Sequence, residues 1–474
     1  MAEEFPFEIS PMYEGERVRK GDMYVELGGS TKDGFELVQV VDDPNEVEDG
    51  KVTLIGPDIL DMEEGGFYPY GMIYKVAGEQ LETDLEAVLE RRHHEFQPYM
   101  QGYMHLNQRY DIWVRISKDM IKNGLKSFEQ IAKATMMLYK NELPFIEKME
   151  AIYITDEEKV KEELAKAMEI YKARDERARA MHDEDADVFY GCTLCQAFAP
   201  TSVCVVTPDR TSLCGAMTWF DCRAAAKVDP EGPNFPIEKG ECLDELKGEY
   251  TGVNEKAVEL SGGEYDRIML YTFMEYPHTS CGCFEVIGFY MPEVQAIGWV
   301  DRNFPAATPN GLPFSSMAGQ AGGGKQTLGF LGIGIQYFFS PKFLQGEGGW
   351  TTTAWLPKDL KDRILEAIPE DMRDKIATEE DATDVTQLME FMKKVNHPMV
   401  AKWAAEEEEE VEEAAEAAAP EAAAMPQMPM MQPGMMPQMQ LPAFAPSGGA
   451  AGGIKLVLKN ANIKVEKIIL KKKE

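Results

Sequence analysis

The stretch that decides the fold is GCTLCQAFAP at residues 191–200, where two of the eight cysteines of the chain lie three positions apart. Two further cysteines follow, and the gaps of 3, 9 and 10 residues separate Cys192, Cys195, Cys204 and Cys214. Four thiolates this close along a chain repel one another unless a cation lies between them. The pattern therefore predicts a metal site.

The spacing of these four cysteines favours an iron–sulfur cluster over zinc. Structural zinc sites usually use two close Cys pairs, whereas only Cys192 and Cys195 are close here. A [4Fe-4S] cube takes one thiolate per iron and tolerates uneven spacing. A structural zinc module stays open as a further alternative.

A second cysteine motif, Cys281-Gly282-Cys283, lies far downstream. Its two sulfurs and the backbone nitrogens of Gly282 and Cys283 can close small chelate rings around one ion. Two S and two N donors in a plane are typical of Ni(II) or Cu(II), and glycine has no Cβ to obstruct a tight backbone. The alternative is two ordinary thiols, which the four upstream cysteines disfavour.

The cysteine segments resemble those of one known family. GCTLCQAFAP at 191–200, the later Cys204 and Cys214, and SCGCFE at 280–285 are similar to the A-cluster segments of acetyl-CoA synthase. The similarity continues in SPKFL at 340–344, GGW at 348–350 and WLPK at 355–358. Length and C-terminal extension resemble the beta subunits of archaeal acetyl-CoA decarbonylase/synthase complexes.

The resemblance implies an enzyme, a CO-methylating acetyl-CoA synthase of the acyltransferase class. Such an enzyme reversibly forms or cleaves acetyl-CoA from CO, a corrinoid-bound methyl group and coenzyme A, through an acetyl-nickel intermediate. The implied partners are carbon monoxide dehydrogenase subunits and corrinoid iron–sulfur protein subunits. The implied cofactor is a Ni-Ni-[4Fe-4S] A-cluster, with a proximal and a distal nickel.

The resemblance also assigns ligands to this cluster. The implied ligands of the [4Fe-4S] cube are Cys192, Cys195, Cys204 and Cys214. The proximal nickel would be held by Cys195, Cys281 and Cys283. The distal nickel would lie in the plane of Cys281, Gly282 and Cys283.

Three further residues match family positions near the cluster. Phe198 occupies the position of a phenylalanine beside the labile nickel, where its ring would restrict access for CO. Trp113 and Arg115 resemble a Trp-x-Arg segment that faces the metal domain, and side chains two apart on a strand share one face. We expect these two on the coenzyme A side of the cleft. An ordinary core phenylalanine, and a core tryptophan beside a surface arginine, are the alternatives.

Two polar or glycine-rich segments carry weaker signals. The run Arg91-Arg92-His93-His94 at a helix end is typical of a solvated face. Residues 319–326, GQAGGGKQ, nearly spell a nucleotide-binding P-loop, but Gln326 stands where the Mg²⁺-binding Ser or Thr belongs. We therefore predict a loop that packs its backbone close to the cluster.

A few remaining side chains near the motifs are expected to be structural. Cys222 and Cys242 match no ligand position, and we expect buried or free thiols. Glu275, His278 and Glu285 are expected to support the site through hydrogen bonds.

Composition excludes some classes of protein. The formal net charge is −34, which disfavours a nucleic-acid surface. No apolar run approaches the length of about 18 residues that a membrane span needs. We expect a cytoplasmic protein with no membrane anchor, in which an anionic cofactor such as coenzyme A would need a local basic pocket.

Periodicity predicts a mixed α/β fold with four parts. Residues 1–187 form an N-terminal α/β domain, and residues 188–400 form the A-cluster domain. Residues 401–453 form an acidic, then Met/Pro/Gly-rich, flexible linker. Residues 454–474 form a basic β-hairpin that docks on another subunit, since a lone hairpin is barely stable in water.

A non-catalytic function remains the main alternative. A [4Fe-4S] electron carrier or scaffold subunit of a redox complex would explain the four clustered cysteines but would leave the Cys-Gly-Cys motif unused. Nickel content distinguishes the two hypotheses.

Overall fold

The computed structural model describes residues 5–29, 32–106, 109–110, 112–196 and 199–405, and these form a mixed α/β fold, as the sequence predicts. Its strands are β1 (Met23–Gly28), β2 (Gly34–Val40), β3 (Val52–Ile55), β4 (Gly66–Tyr68), β5 (Tyr70–Ala77), β6 (Tyr103–Leu106), β7 (Trp113–Ser117), β8 (Lys148–Ile154), β9 (Val188–Cys192), β10 (Cys204–Val206), β11 (Asn234–Glu238), β12 (Cys242–Asp244), β13 (Glu249–Tyr250), β14 (Val286–Met291), β15 (Ala296–Asp301), β16 (Phe330–Ile333) and β17 (Thr353–Trp355). Its α-helices are α1 (Glu86–Phe96), α2 (Lys118–Lys122), α3 (Phe128–Glu142), α4 (Glu157–Ala178), α5 (Trp219–Val228), α6 (Thr251–Leu260), α7 (Phe314–Ala321), α8 (Lys358–Arg363), α9 (Glu370–Arg373) and α10 (Val385–Lys394).

The first half of the chain builds two four-stranded sheets. One has the order β2-β5-β8-β3, and the other has the order β4-β1-β7-β6. In the first sheet β5 pairs parallel with β2 and antiparallel with β8. This central position explains why β5 is almost entirely buried and reads as a near-continuous apolar run.

Helix α1 is fixed against the edge of the first sheet by two buried carboxylates. Glu90 accepts a hydrogen bond from the backbone N–H of Val38 at 3.1 Å, and Glu86 accepts one from Val40 at 2.9 Å. Arg174 of α4 pairs with Glu90 at 2.9 Å and with Glu86 at 2.6 Å. These charge-assisted contacts hold α1 in place and so position the later turns of the helix.

The second half of the chain adds a three-stranded and a four-stranded sheet around the cysteine motifs. The first has the order β10-β9-β11, and the second has the order β16-β14-β15-β17. In the first, Cys192 pairs directly with Cys204 across an antiparallel ladder. Strand β14 begins three residues after Cys283, so the Cys-Gly-Cys motif lies in the loop before this strand.

The described residues belong to the first of two units into which the chain divides, Met1–Ala414. One hydrophobic cluster of the first unit includes Val25 and Tyr74 from the first half together with Tyr190 and Cys222 from the second. The predicted domain boundary at residues 187/188 stays a prediction. The predicted linker beyond residue 405 and the predicted hairpin lie outside the described residues.

Two elements differ from what the apolar spacing of the sequence predicts. The run 268–273 is predicted as a strand, but it forms only an isolated bridge between Met269 and Glu249. Its residues are apolar because Ile268, Leu270 and Tyr271 are fully buried, and a short apolar run does not separate a strand from other buried segments. The helix predicted for residues 79–92 spans Glu86–Phe96 instead.

The helices of the described residues differ from membrane-spanning helices. Among the residues described, no helix combines the length and the apolar character that crossing a bilayer requires.

Candidate metal centre

Four cysteines of the 191–214 region line one small cavity: Cys192, Cys195, Cys204 and Cys214. Strand pairing brings two of them together, since Cys192 ends β9 and faces the first residue of β10, Cys204. Cys195 lies in the turn after β9, and Cys214 precedes Gly215, whose φ is +74°. A ladder and two turns thus gather thiols that are spread along the sequence.

The Cys-Gly-Cys motif is a tight turn of backbone. Gly282 has a φ of +119°, a conformation that strains any residue with a Cβ. Its N–H donates to Ser280 Oγ at 3.2 Å, and the N–H of Cys283 donates to Cys281 Sγ at 3.3 Å. Sulfur and nitrogen atoms of the tripeptide therefore lie side by side, as a chelate requires.

Two residues before this motif fasten it to the strand that carries Cys204. His278 Nε2 accepts a hydrogen bond from the Val205 N–H at 2.9 Å, and its Nδ1 lies 2.9 Å from the Thr279 carbonyl oxygen. Thr279 Oγ1 accepts from the Val203 N–H at 2.8 Å. The supporting role expected for His278 is confirmed, and these contacts explain how distant segments of the chain meet.

The glycine-rich loop closes over the motif from another direction. Gly323 donates its N–H to the Cys281 carbonyl oxygen at 3.3 Å, and Gly324 donates to that of Ser280 at 2.7 Å. A Cβ on Gly322 would lie 3.1 Å from the Cα of Gly282. The predicted close packing of this backbone is confirmed. A helix, α7, precedes the glycines, whereas a P-loop follows a strand.

Three sulfurs from the two regions converge. The Sγ atoms of Cys195, Cys281 and Cys283 all lie within 4.8 Å of one another. Cys281 also lines the cavity of the four upstream cysteines. Soft thiolates at this separation can share a single thiophilic ion, so the three sulfurs are suited to hold a metal ion beside the cysteine-lined cavity.

The protonation of these thiols depends on burial and on their mutual contacts. Burial raises the pKa of Cys192 to about 11, and it also raises the pKa of Cys204. Hydrogen bonding from Cys195 lowers the pKa of Cys283, whereas contact with Cys281 raises the pKa of Cys195. Metals bind thiolates, and burial opposes the loss of the thiol protons. The buried thiols therefore become thiolates readily only when a cation is bound beside them.

Helix α1 adds two side chains that the sequence analysis missed. Arg91 Nη2 donates to Cys195 Sγ at 2.7 Å, and His94 Nε2 lies 3.4 Å from Cys283 Sγ. Burial, followed by the charge of Arg91, lowers the pKa of His94 to about 4, so its ring is neutral near pH 7. The interpretation of residues 91–94 as a solvated face is wrong, because all four are buried. Their spacing was a usable signal, since positions i and i+3 share a helix face.

A basic cleft opens beside the motif. Its lining includes Cys283, His94 and three arginines, Arg17, Arg91 and Arg302. Arg302 donates to the Phe284 carbonyl oxygen at 3.1 Å, which ties one guanidinium to the residue after the motif. In a chain with a net charge of −34, this is the kind of local basic pocket expected for an anionic ligand.

Comparison with known proteins gives the family. A model described as the CO dehydrogenase/acetyl-CoA synthase complex beta subunit matches residues 5–160, and one for the C-terminal part of the ACS/CODH beta subunit matches residues 171–404. The acetyl-CoA decarbonylase/synthase complex subunit beta of Archaeoglobus fulgidus is 62% identical, over 99% of this chain and 94% of its own length. The chain belongs to the acetyl-CoA decarbonylase/synthase beta-subunit family.

A second beta subunit agrees with this assignment. Subunit beta 2 of the same complex in Methanosarcina thermophila is 62% identical, with 99% of each chain covered. The solved C-terminal domain of an acetyl-coenzyme A synthase alpha subunit is 37% identical over 25% of this chain and 95% of that domain, with a TM-score of 0.24. The family assignment rests on the relatives matched at nearly full length.

Trp113 and Arg115, which the family resemblance predicts on the coenzyme A side of the cleft, lie together on β7. The guanidinium carbon of Arg115 lies 4.6 Å from the ring centroid of Trp113, so the two share one face, as expected. Arg115 Nε pairs with Glu26 at 2.5 Å. Leu106, the cross-strand partner of Trp113, lines the basic cleft. Contact of either residue with a ligand stays a prediction, and Phe198 lies outside the described residues.

The side chains expected to be structural divide between buried and exposed positions. Cys222 is buried and Cys242 is exposed, and both are free thiols. Glu285 accepts a hydrogen bond from the Ile335 N–H at 2.7 Å, which confirms its supporting role. Glu275 pairs with Lys247 at 2.6 Å on the surface.

Proposed function

We propose that this chain is a CO-methylating acetyl-CoA synthase, the subunit that reversibly forms or cleaves acetyl-CoA within its complex. The observation that carries the proposal is the convergence of Cys195, Cys281 and Cys283 within 4.8 Å. An electron carrier needs only the four cysteines of one cluster and leaves this convergence without a purpose. Family membership supports the same choice.

The proposed cofactor is a Ni-Ni-[4Fe-4S] centre. The cube would be held by Cys192, Cys195, Cys204 and Cys214. The two nickel ions would be held by Cys195, Cys281, Gly282 and Cys283. Fit is supported by the cysteine-lined cavity and by the positive φ of Gly282.

When bound, such a centre would supply coordination sites where CO and a corrinoid-derived methyl group become the acetyl group of acetyl-CoA. The protein would bind and orient the reactants. Arg17 and Arg302 in the cleft are suited to the phosphates of coenzyme A, and the apolar walls at Leu106 and Phe314 would limit water. We assign no general acid or base.

Three further roles belong to this proposal. Trp113 and Arg115 would contact coenzyme A from β7, and Phe198 would restrict access of CO to the open nickel. The relatives are subunits of a decarbonylase/synthase complex by name, and we propose carbon monoxide dehydrogenase and corrinoid iron–sulfur subunits as partners in the cytoplasm. The tail 454–474 would dock on one of them.

Metal analysis of anaerobically purified full-length protein, together with an acetyl-exchange assay between acetyl-CoA and coenzyme A, tests the function. We expect about two nickel and four iron atoms per chain, together with exchange activity. Cys281→Ser should reduce nickel content and abolish exchange while most of the iron remains, since Cys281 belongs to the convergent triad.

Cys222→Ser is the matched control, because Cys222 is also a free thiol but does not belong to the three convergent cysteines. It should retain nickel, iron and exchange activity. Iron without nickel in fully loaded wild-type protein would instead support the electron carrier, and zinc alone would support a structural module.

A further inference from the structure

Arg91 is a buried cation whose hydrogen bond goes to sulfur. Its side chain belongs to a residue only 3% exposed, and its Nη2 donates to Cys195 Sγ at 2.7 Å. Within the described ranges, its guanidinium forms no ion pair with a carboxylate. A buried charge is costly unless an opposite charge lies nearby, so the compensating anion must come from the cysteine region.

The position of Arg91 suits that role. It lines the cavity of the four upstream cysteines, and it also lines the cleft beside Cys283. Its charge therefore acts on both halves of the proposed centre. Helix α1 holds Arg91 in this position, because Glu86 and Glu90 fix the preceding turn of the helix to the β2 edge and to Arg174.

The proposed centre is anionic, which makes such a cation consequential. An oxidised [4Fe-4S] cube with four thiolates carries a net charge of about −2, and each added electron makes it more negative. Hydrogen bonds to the sulfurs and nearby charge are among the factors that set the potential of such clusters. A fixed cation at the sulfur of Cys195 would stabilise the reduced form of such a centre over the oxidised form.

We propose that Arg91 is a positioning residue that raises the reduction potential of the metal centre, by holding a positive charge and an N–H donor against the sulfur of Cys195. This inference rests on the proposed function. His94, on the same face of α1, contacts the sulfur of Cys283 at 3.4 Å, and Arg91 supplies the guanidinium charge of this face. Arginine suits the role because its guanidinium keeps its charge when buried.

Redox titration of the metal-loaded, full-length protein tests the proposal, with the visible charge-transfer absorption of the cluster as the readout. Arg91→Gln removes the charge and keeps a donor, whereas Arg91→Lys keeps the charge. The matched control is Arg92→Gln, because Arg92 is also buried on α1 but pairs with Glu95 at 2.9 Å and packs on Phe96.

We expect Arg91→Gln to lower the ratio of reduced to oxidised centre at least tenfold at the wild-type midpoint, which equals a negative shift of about 59 mV for a one-electron couple. Arg91→Lys should shift the potential by less than half as much. Arg92→Gln should leave it unchanged. An unchanged potential in Arg91→Gln, or equal shifts in the Arg91 and Arg92 glutamine variants, overturns the proposal.

Iron and nickel contents separate this inference from the proposed function. Wild-type protein without nickel would refute the function itself, whereas loaded wild type with a loaded but unshifted Arg91→Gln would refute only the role of Arg91. If Arg91→Gln fails to load metal, Arg91→Lys decides. Loading of Arg91→Lys with a potential shifted by less than half of the tenfold criterion supports the proposal. A larger shift overturns it, and so does failure of both variants to load, which would show a purely structural role.

Discussion

The two cysteine regions are built by different means. Cys192 and Cys204 face each other across a β-ladder, so the backbone of a sheet sets their separation. The Cys281-Gly282-Cys283 turn has no ladder of its own and is held from outside, by contacts to residues 203–205 and to the glycine-rich loop. A change in the first region should therefore cost fold stability, whereas a change in the second should mainly cost metal binding.

The largest loss of stability is expected from Gly215→Ala in the first region. A Cβ there would lie 2.1 Å from the Glu285 carboxylate, which would have to release the Ile335 N–H. Together with the positive φ, overpacking should lower the free energy of unfolding by about 3 kcal/mol. Urea denaturation measures this, and an unaffected unfolding midpoint would show that the turn at Gly215 is adaptable.

The contact between the two regions comes next. His278→Leu removes the acceptor of the Val205 N–H inside the protein, and a buried unsatisfied donor costs about 1–3 kcal/mol. We expect this loss in urea denaturation, together with reduced nickel content and retained iron. Equal loss of iron and nickel would contradict the separate anchoring of the two regions.

The same histidine predicts a pH dependence. Burial, reinforced by the charge of Arg210, lowers the pKa of His278 to about 3, against about 6.5 in an unfolded chain. Between these values the unfolded chain binds the extra proton, so stability falls as the pH falls through this window, by up to about 1.4 kcal/mol per pH unit. The slope should decrease by that amount in His278→Leu. His182→Gln is the control of opposite sign, since the hydrogen bond to Asp209 raises the pKa of His182.

The smallest effect on stability, but a large one on metal, is expected from Gly282→Ala. A Cβ on Gly282 meets no atom within 4 Å, so only backbone strain of about 1 kcal/mol opposes it. The strain acts on the predicted chelate, and nickel content should fall while iron remains. Gly262→Ala is the control, because Gly262 also has a positive φ and open space but lies in an exposed turn. Nickel loss in both variants would show that strain at the Cys-Gly-Cys turn is not its specific cause.

Much of this site could be predicted from the sequence, because its chemistry depends on residue types and on their spacing. Thiolates need a cation, and this need predicted a metal site at the four upstream cysteines. That Cys195 would meet Cys281 and Cys283 was implied by the resemblance to the acetyl-CoA synthase family. The close backbone at Gly322 and Gly324 followed from the missing P-loop ligand and the glycine content. These inferences depend on local motifs, which is why they were accessible.

The role of helix α1 was not accessible in the same way. Charged residues on a helix usually face water, and the basic run at residues 91–94 predicts that outcome. Their burial depends on partners far away in sequence, namely the edge of β2, Arg174 and the cysteines. The prediction of a strand at residues 268–273 was wrong for a related reason. A fully buried segment is apolar whether its backbone forms a strand, a helix or an irregular loop.

Strand β10 has a consequence for how the chain tolerates insertions. Its three residues, Cys204–Val206, include one of the four upstream cysteines, and the N–H of Val205 donates a hydrogen bond to His278. Because side chains alternate along a strand, one extra residue there would turn Cys204 to the opposite face and offer the histidine a different backbone group. Length variation should thus be tolerated in the surface turns around residues 262–264, and a single inserted codon in β10 would separate both halves of the centre at once.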